Sequence, residues 1–302
     1  MGIFISLPIF FIVFGGWLLR KKGIINDNDI RSLNSFAYYV SLPALIAVSL
    51  WNIDFLNGEN WRIIKFSFFT IASFSLILLL LLSVIKINKD LKAAIFLTAV
   101  TGNTIYMGFP LIELSFGKGY LPAGTLIGTI YLIIPLLISI FVIRYWHNRE
   151  HKLSKELAEF VKNPLIISTV AGIALSFLKI DFPAIDGFKK SLLMLGATAS
   201  PVALFVLGGF LYGKFLKKDL GLVACSSILK LAAFPVFIAA VYFYLFKVSN
   251  FQVAALLASM PTAVTTFVIS EKFKLNSALV GNVILASTIL SFIVVPLIVY
   301  LF

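Results

Sequence analysis

Long apolar stretches follow one another along almost the whole chain, and only short polar connections separate them. Each stretch is near the length that a helix needs to cross about 30 Å of hydrocarbon. The pattern predicts an all-α polytopic membrane protein with ten transmembrane helices. The predicted segments are Ile3–Leu19, Leu33–Trp51, Ile63–Ile85, Ala94–Ser115, Leu121–Trp146, Pro164–Leu178, Ser191–Tyr212, Leu220–Phe246, Gln252–Glu271 and Leu279–Leu301.

Two of these segments are interrupted by residues that do not suit a helix. The fourth carries Gly102, Asn103, Gly108 and Pro110, and the ninth carries Pro261. Glycine weakens a helix, and proline lacks the N–H that a helix uses. In a membrane, a broken helix is tolerated only where the freed backbone is buried in protein or lines a cavity. The two breaks therefore predict two crossing helices that form a transport site.

The side chains at the breaks are typical of a site for an anionic group. Asn103 can both donate and accept hydrogen bonds. The second half of each broken helix begins near its break, where free N–H groups and a partial positive charge favour a carboxylate. An alternative is a packing kink, in which hydroxyl and amide groups bond only the nearby backbone. The candidate substrate-binding residues are Gly102, Asn103, Thr104, Pro261, Thr262, Thr265 and Thr266.

Three charged residues lie in or beside the spans. Lys230 is deep in the eighth segment, where an ammonium group must pair, hydrate or snorkel. It is either a substrate or coupling charge or a structural strut to a carbonyl or carboxylate. Glu113 and Glu271 end the two broken segments, near the membrane interfaces. Because no predicted span has a central acid, a sodium/proton antiporter is disfavoured.

Composition and charge agree with a membrane protein. The chain is 60% hydrophobic and 13% charged, whereas soluble proteins are about 45–50% apolar and about 25% charged. The net charge of +12 comes from short basic clusters between apolar runs, which indicates the positive-inside rule rather than nucleic-acid binding. The alternation of these clusters predicts a multi-pass protein of the cell (cytoplasmic or inner) membrane with both termini outside.

The chain also reads as two halves with inverted topology. Residues 1–146 and 164–302 each hold five predicted spans, and residues 147–163 form a polar connector predicted to be a cytoplasmic interfacial helix. Because five is odd, the second half is upside down relative to the first. Helix-breaking residues recur after about 160 residues in three pairs, which are Pro43 with Pro201, Gly102 with Pro261, and Pro135 with Pro296.

The sequence does not favour an enzyme. Residues His147 to His151 fit an H-x-x-E-H metalloprotease pattern, but the chain has only these two histidines, so we interpret the match as coincidence. No phosphate-binding loop or serine elbow is present. We therefore expect no catalytic residues, no metal site and no cofactor.

Several motifs resemble those of the auxin efflux carrier family. The stretch Gly102–Leu111 is similar to its fourth-helix motif, and Met260-Pro261 followed by Phe267–Phe273 is similar to its ninth. Ser200–Gly208 resembles its seventh helix, and Lys230 stands five residues before Pro235, as a basic residue does in its eighth. One departure is Gly102, because plant members carry proline before the motif asparagine.

The resemblance implies a fold like that of sodium/proton antiporters and bile-acid symporters, with an inverted five-helix repeat and crossing helices four and nine. It implies a scaffold of helices one, two, six and seven, a transport unit of helices three to five and eight to ten, and a homodimer in the bilayer. The expected function is elevator-type secondary transport of small organic anions, such as auxin-like acids or dicarboxylates. The alternatives are a bile-acid-type sodium symporter and a membrane ligand sensor or scaffold that transports nothing.

Overall fold

The computed structural model describes residues 7–147, 161–178, 183–213, 219–246 and 251–301, and within them all regular elements are helical. Most of the predicted connector helix, from residue 148 to 160, lies outside the described residues. The helices are α1 (Leu7–Lys21), α2 (Asp27–Trp51), α3 (Gly58–Val84), α4a (Lys89–Val100), α4b (Thr104–Phe116), α5 (Leu121–His147), α6 (Pro164–Leu178), α7a (Pro183–Ala197), α7b (Ala199–Leu211), α8 (Leu220–Phe246), α9a (Phe251–Ala258), α9b (Thr265–Lys272) and α10 (Ser277–Leu301), with a 3-10 turn at Lys118–Tyr120.

Six stretches of the described chain are long and apolar enough to cross a membrane: α2, α3, α5, the α7a–α7b stretch Ile185–Leu211, α8 and α10. The expectation of an all-α polytopic membrane protein is therefore confirmed. α1 and α6 are apolar but shorter, with 15 residues each. α4 and α9 are divided into the halves that the sequence predicted.

Several helices begin earlier than their apolar segments. α2 starts at Asp27 instead of Leu33 because Asn26 and Asp29 form a capping box that satisfies its first N–H groups. α3 starts at Gly58 instead of Ile63, with the Asn57 side chain accepting from Glu59 N. These first turns are polar, so the pattern of apolar segments does not reveal them. Hydrophobicity marks the membrane-embedded part of a helix, whereas its cap sets the true start.

Three helices contain a widened π-helical turn that ends two residues before a proline. The π segments are Ala37–Ser41 before Pro43, Thr104–Gly108 before Pro110, and Leu229–Ala233 before Pro235. A proline lacks a backbone N–H and its ring crowds the preceding turn, and a π turn relieves both effects. The same register in α2, α4b and α8 places Tyr38, Tyr106 and Lys230 on widened turns.

The helices pack as two groups. We name α1, α2, α6, α7a and α7b the peripheral group, since they pack mainly against one another. Glycines allow very close approach there: a Cβ on Gly208 would lie 1.8 Å from Val13 O, and one on Gly16 would lie 2.0 Å from Phe205 O. Small residues at helix contacts let backbones meet directly in a membrane.

The other helices form the crossing group, consisting of α3, α4a, α4b, α5, α8, α9a, α9b and α10. Here the glycines mostly receive side chains: a Cβ on Gly108 would meet Leu257, and one on Gly128 would meet Phe109. The two groups touch chiefly where α2 meets α5 and where α7b meets the first turn of α4b. This boundary passes beside the breaks in α4 and α9.

Candidate functional site

The breaks in α4 and α9 meet as two short antiparallel stretches. Gly102 and Thr262 form an isolated bridge, and Asn103 N donates a hydrogen bond of 2.8 Å to Pro261 O. Pro261 has no backbone N–H, so it takes part in this pairing only as an acceptor, through its carbonyl oxygen. The bridge satisfies backbone groups that the broken helices leave free, as a membrane interior requires.

The second break is held on both sides by hydroxyl groups. Thr262 N donates to Ser287 Oγ of α10 over 3.1 Å, and the Thr262 hydroxyl donates to Thr98 O of α4a over 2.9 Å. Thr262 is 1% exposed, so these are buried bonds. The polar groups of Thr262 therefore already have partners within the crossing group.

The side chain of Lys230 lies next to Gly102 of the bridge and is fully buried. Its Nζ donates a 3.0 Å hydrogen bond to Ala258 O, at the C-terminal end of α9a, and lies 4.5 Å from the centre of the Phe234 ring. A Cβ placed on Gly102 would be 2.9 Å from this Nζ. The partial negative charge of a helix C-terminus and the face of an aromatic ring both favour a cation. Lys230 thus occupies the side of the crossing where the first half of α9 ends.

A cavity lies on another side of the crossing, where the second halves of both broken helices begin. Its wall includes Thr104, at the start of α4b, and Thr265, at the start of α9b. Among the residues that the structure describes, no Lys, Arg, Asp or Glu side chain lines it. The remaining lining residues are Tyr38, Leu42, Gly102, Asn103, Ile105, Tyr106, Leu132, Leu165, Ala263 and Val264.

Asn103 is the polar group that distinguishes this cavity. Its residue is 4% exposed, yet its side chain does not cap α4b and has no hydrogen-bond partner within the described chain. A buried amide without a partner costs free energy, so such a group is usually kept for a ligand or a water molecule. The cavity volume of about 20 Å³ accommodates roughly one water molecule, so an organic acid requires it to widen.

The structure brings together only part of the predicted residue set. Gly102, Asn103, Thr104 and Thr265 line the cavity. The other predicted residues do not line it: Pro261 and Thr262 form the bridge, the Thr266 hydroxyl donates to Ala263 O, Lys230 contacts Ala258 O, and Glu113 and Glu271 are exposed near the far ends of α4b and α9b.

Sequence reasoning missed Tyr38 and Tyr106. Both line the cavity and both are half-buried. A usable signal was present, because each tyrosine precedes a proline by four or five residues inside an apolar segment. In both helices the tyrosine lies on the π-helical turn that precedes the proline.

The fold and the crossing define a polytopic membrane protein with two interrupted helices that meet at a buried polar centre, an arrangement typical of secondary transporters. A family model described as "Membrane transport protein" matches residues 3–299. The chain belongs to this family, and its resemblance to auxin efflux carriers is confirmed.

Similar proteins come from archaea and bacteria. The chain is 25% identical to an uncharacterized transporter of Methanocaldococcus jannaschii, over 97% of this chain and 96% of that protein. It is 24% identical to an uncharacterized transporter of Methanothermobacter thermautotrophicus, over 96% and 95%. It is 27% identical to a Rhizobium meliloti protein named "Putative malonate transporter", over 98% and 94%. The family match identifies the chain as a membrane transporter.

Proposed function

We propose that this protein is a secondary transporter of small organic anions, and that Asn103 binds the carboxylate group of the substrate. The cavity side of the crossing offers the N-terminal ends of α4b and α9b, the free amide of Asn103 and the hydroxyl of Thr265. Helix N-termini and amide donors bind a carboxylate without a cationic side chain. The relative that is named for malonate supports an organic acid as the substrate class.

The observation that carries this proposal is the unpartnered Asn103 amide. Thr262, on the opposite strand of the bridge, has its N–H and its hydroxyl fully engaged. A packing kink would leave neither residue free, because buried polar groups normally find protein partners. Of the two residues in the bridge, Asn103 therefore keeps an available polar group, and that group lines the cavity.

The division into two helix groups supports alternating access by an elevator motion. We propose that the peripheral group is the scaffold and that the crossing group carries the site as a transport unit. The cavity wall combines Asn103 and Thr265 of the crossing group with Tyr38, Leu42 and Leu165 of the peripheral group. A site on a boundary between two bodies opens when one body moves relative to the other.

The topology that accompanies this proposal is ten spans arranged as two inverted repeats, residues 1–146 and 164–302. The breaks occupy corresponding places in these halves, at Gly102 and Pro261. The basic clusters support a cell-membrane protein with both termini outside, and we propose a homodimer as in the related family. Ala258 O already holds the Lys230 ammonium group, which favours an anion carrier over a sodium symporter of the bile-acid type.

The test is uptake by purified protein in proteoliposomes. Labelled malonate and phenylacetate are supplied under imposed proton, sodium and voltage gradients, so that a sodium symporter is recognised by its sodium dependence. We expect at least one acid to accumulate or exchange with the parent protein. We expect Asn103→Ala to abolish this uptake and Asn52→Ala to preserve it, because within the described residues the exposed Asn52 amide bonds Val48 O alone, at the end of α2.

The outcomes separate the hypotheses. Uptake by Asn103→Ala equal to that of the parent would refute the assignment of the carboxylate site. Binding of an acid without uptake under any gradient would favour a sensor that transports nothing. A matched loss in Asn52→Ala would show that the Asn103 effect is unspecific.

A further inference from the structure

Of the described lining residues, Tyr38 is the one polar side chain that the peripheral group contributes to the cavity wall. The other two lining residues of that group, Leu42 and Leu165, are aliphatic. Tyr38 is half-buried. A phenol offers an apolar face and a hydrogen-bond donor, so it can contact both the hydrocarbon and the carboxylate parts of an organic acid.

The positions of the lining residues indicate toward which side of the membrane the cavity extends. Leu165 is the second residue of α6, and Asn163, whose side chain caps Leu165 N over 2.9 Å, ends the polar connector. The basic connector is predicted to be cytoplasmic. The cavity therefore extends from the crossing toward the side of the membrane that carries the connector.

From these positions we propose that Tyr38 is a one-sided substrate-binding residue. It contacts the anion while the site opens toward the connector, and the anion leaves it when the crossing group moves. Asn103 and Thr265 belong to the crossing group and stay with the anion in both orientations. This inference rests on the proposed alternating access of the crossing group.

The neighbouring residue provides a control within the same helix. Tyr39 is 66% exposed, does not line the cavity, and lies on the outward surface of α2 next to Tyr38. A thiol at position 39 would face lipid, where a charged reagent does not reach it. Comparing positions 38 and 39 therefore separates access through the cavity from access through the membrane.

The test is cysteine labelling from each side of sealed membrane vesicles. Cys225 is the only cysteine, so Cys225→Ser gives a background without thiols. Tyr38→Cys, Tyr39→Cys, Leu165→Cys and Thr265→Cys are each added to it. The probe is the membrane-impermeant cation 2-(trimethylammonium)ethyl methanethiosulfonate, applied to right-side-out or inside-out vesicles.

We expect Tyr38→Cys to react from the connector side at least about tenfold faster than from the other side. We expect Thr265→Cys to react from both sides and Tyr39→Cys from neither. Leu165→Cys should show the same preference for labelling from the connector side as Tyr38→Cys. It replaces that variant if Tyr38→Cys does not fold. Equal labelling of both peripheral positions from the two sides, or labelling of Thr265→Cys from one side only, would overturn the proposal.

Protection of the Tyr38→Cys thiol from labelling by a bound anion tests whether the anion contacts position 38. An acid that the parent protein takes up, malonate or phenylacetate, should slow labelling of Tyr38→Cys from the connector side. An acid that is taken up but gives no protection would overturn the contact. A parent protein that takes up neither acid would count against the proposed function, whereas the labelling pattern without acid still decides the one-sided geometry.

Discussion

The two breaks at the crossing use their polar groups in opposite ways. At the second break, Thr262 donates its N–H to Ser287 and its hydroxyl to Thr98 O, and both bonds are buried. At the first break, Asn103 uses its backbone N–H in the bridge and leaves its side-chain amide without a partner in the described chain. The second break thus resembles a structural joint, and the first resembles a binding site.

Polarity within a span is therefore not enough to identify a site. Asn103 and Thr262 are both buried polar residues at helix breaks. The sequence favours Asn103, whose amide can both donate and accept, but for each residue it leaves open whether the side chain bonds only the nearby backbone. The hydrogen bonds separate them, because a saturated group contributes to stability and an available group can bind a ligand. Substitutions at the crossing should therefore divide into those that reduce stability and those that reduce transport.

The largest expected effect on stability is that of Lys230→Glu. A carboxylate there would face Ala258 O and the negative end of α9a, and an uncompensated buried charge costs about 3–5 kcal/mol. We expect this variant not to yield folded, monodisperse protein on size-exclusion chromatography in detergent. Lys230→Met is the control, because it removes the charge but keeps most of the side-chain volume. A Lys230→Glu protein that folds and melts at the same temperature as Lys230→Met would show that a carboxylate at this position has no destabilising effect.

A smaller loss of stability is expected for Gly102→Ala. The new methyl group would lie 2.9 Å from Lys230 Nζ and displace it from Ala258 O, and overpacking of this kind costs about 1–3 kcal/mol. Gly281→Ala is the matched control, since its Cβ would lie 3.5 Å from the Phe267 ring, an ordinary contact. Melting temperatures measure the stability of both variants. If the clash with Lys230 is the cause, Gly102→Ala should cost much less in a Lys230→Ala background.

Sequence reasoning located the crossing because its signals are local. Two glycines, two prolines and an asparagine inside apolar segments mark the breaks in α4 and α9 without any structural knowledge. The orientation of each side chain is not local. The Thr262 hydroxyl finds its acceptor 164 residues away, and Tyr38 reaches the cavity from a different helix group. Such contacts depend on tertiary packing, which periodicity does not encode.

The partner of Lys230 also depends on tertiary packing and could not be predicted from the sequence. The sequence indicated that a buried ammonium group needs a partner and left open whether that partner is a substrate or a backbone carbonyl. The structure places Nζ against Ala258 O, 28 residues further along the chain. The C-terminal end of a half-helix is an available acceptor only because α9 is broken there.

A direct test of the two breaks compares Thr262→Val with Asn103→Ala. Thr262→Val loses a buried hydrogen bond and should lower stability by about 1 kcal/mol. Asn103→Ala loses no side-chain hydrogen bond within the described chain, so it should leave the melting temperature unchanged or slightly raised while uptake is lost. Melting temperature and uptake are measured on the same preparations. The comparison fails if Asn103→Ala lowers the melting temperature more than Thr262→Val does.

The smallest expected effects separate two adjacent threonines of α9b. The Thr265 side chain lines the cavity, and its hydroxyl has no partner within the described chain, whereas the buried Thr266 hydroxyl donates to Ala263 O. Thr265→Val should therefore raise the half-saturating concentration of the transported acid by up to about tenfold, the equivalent of one hydrogen bond, with little change in melting temperature. Thr266→Val should lower the melting temperature slightly and leave half-saturation unchanged, because its hydroxyl faces its own helix. Concentration-dependent uptake of the two variants measures this difference, and equal half-saturating concentrations would remove Thr265 from the binding site.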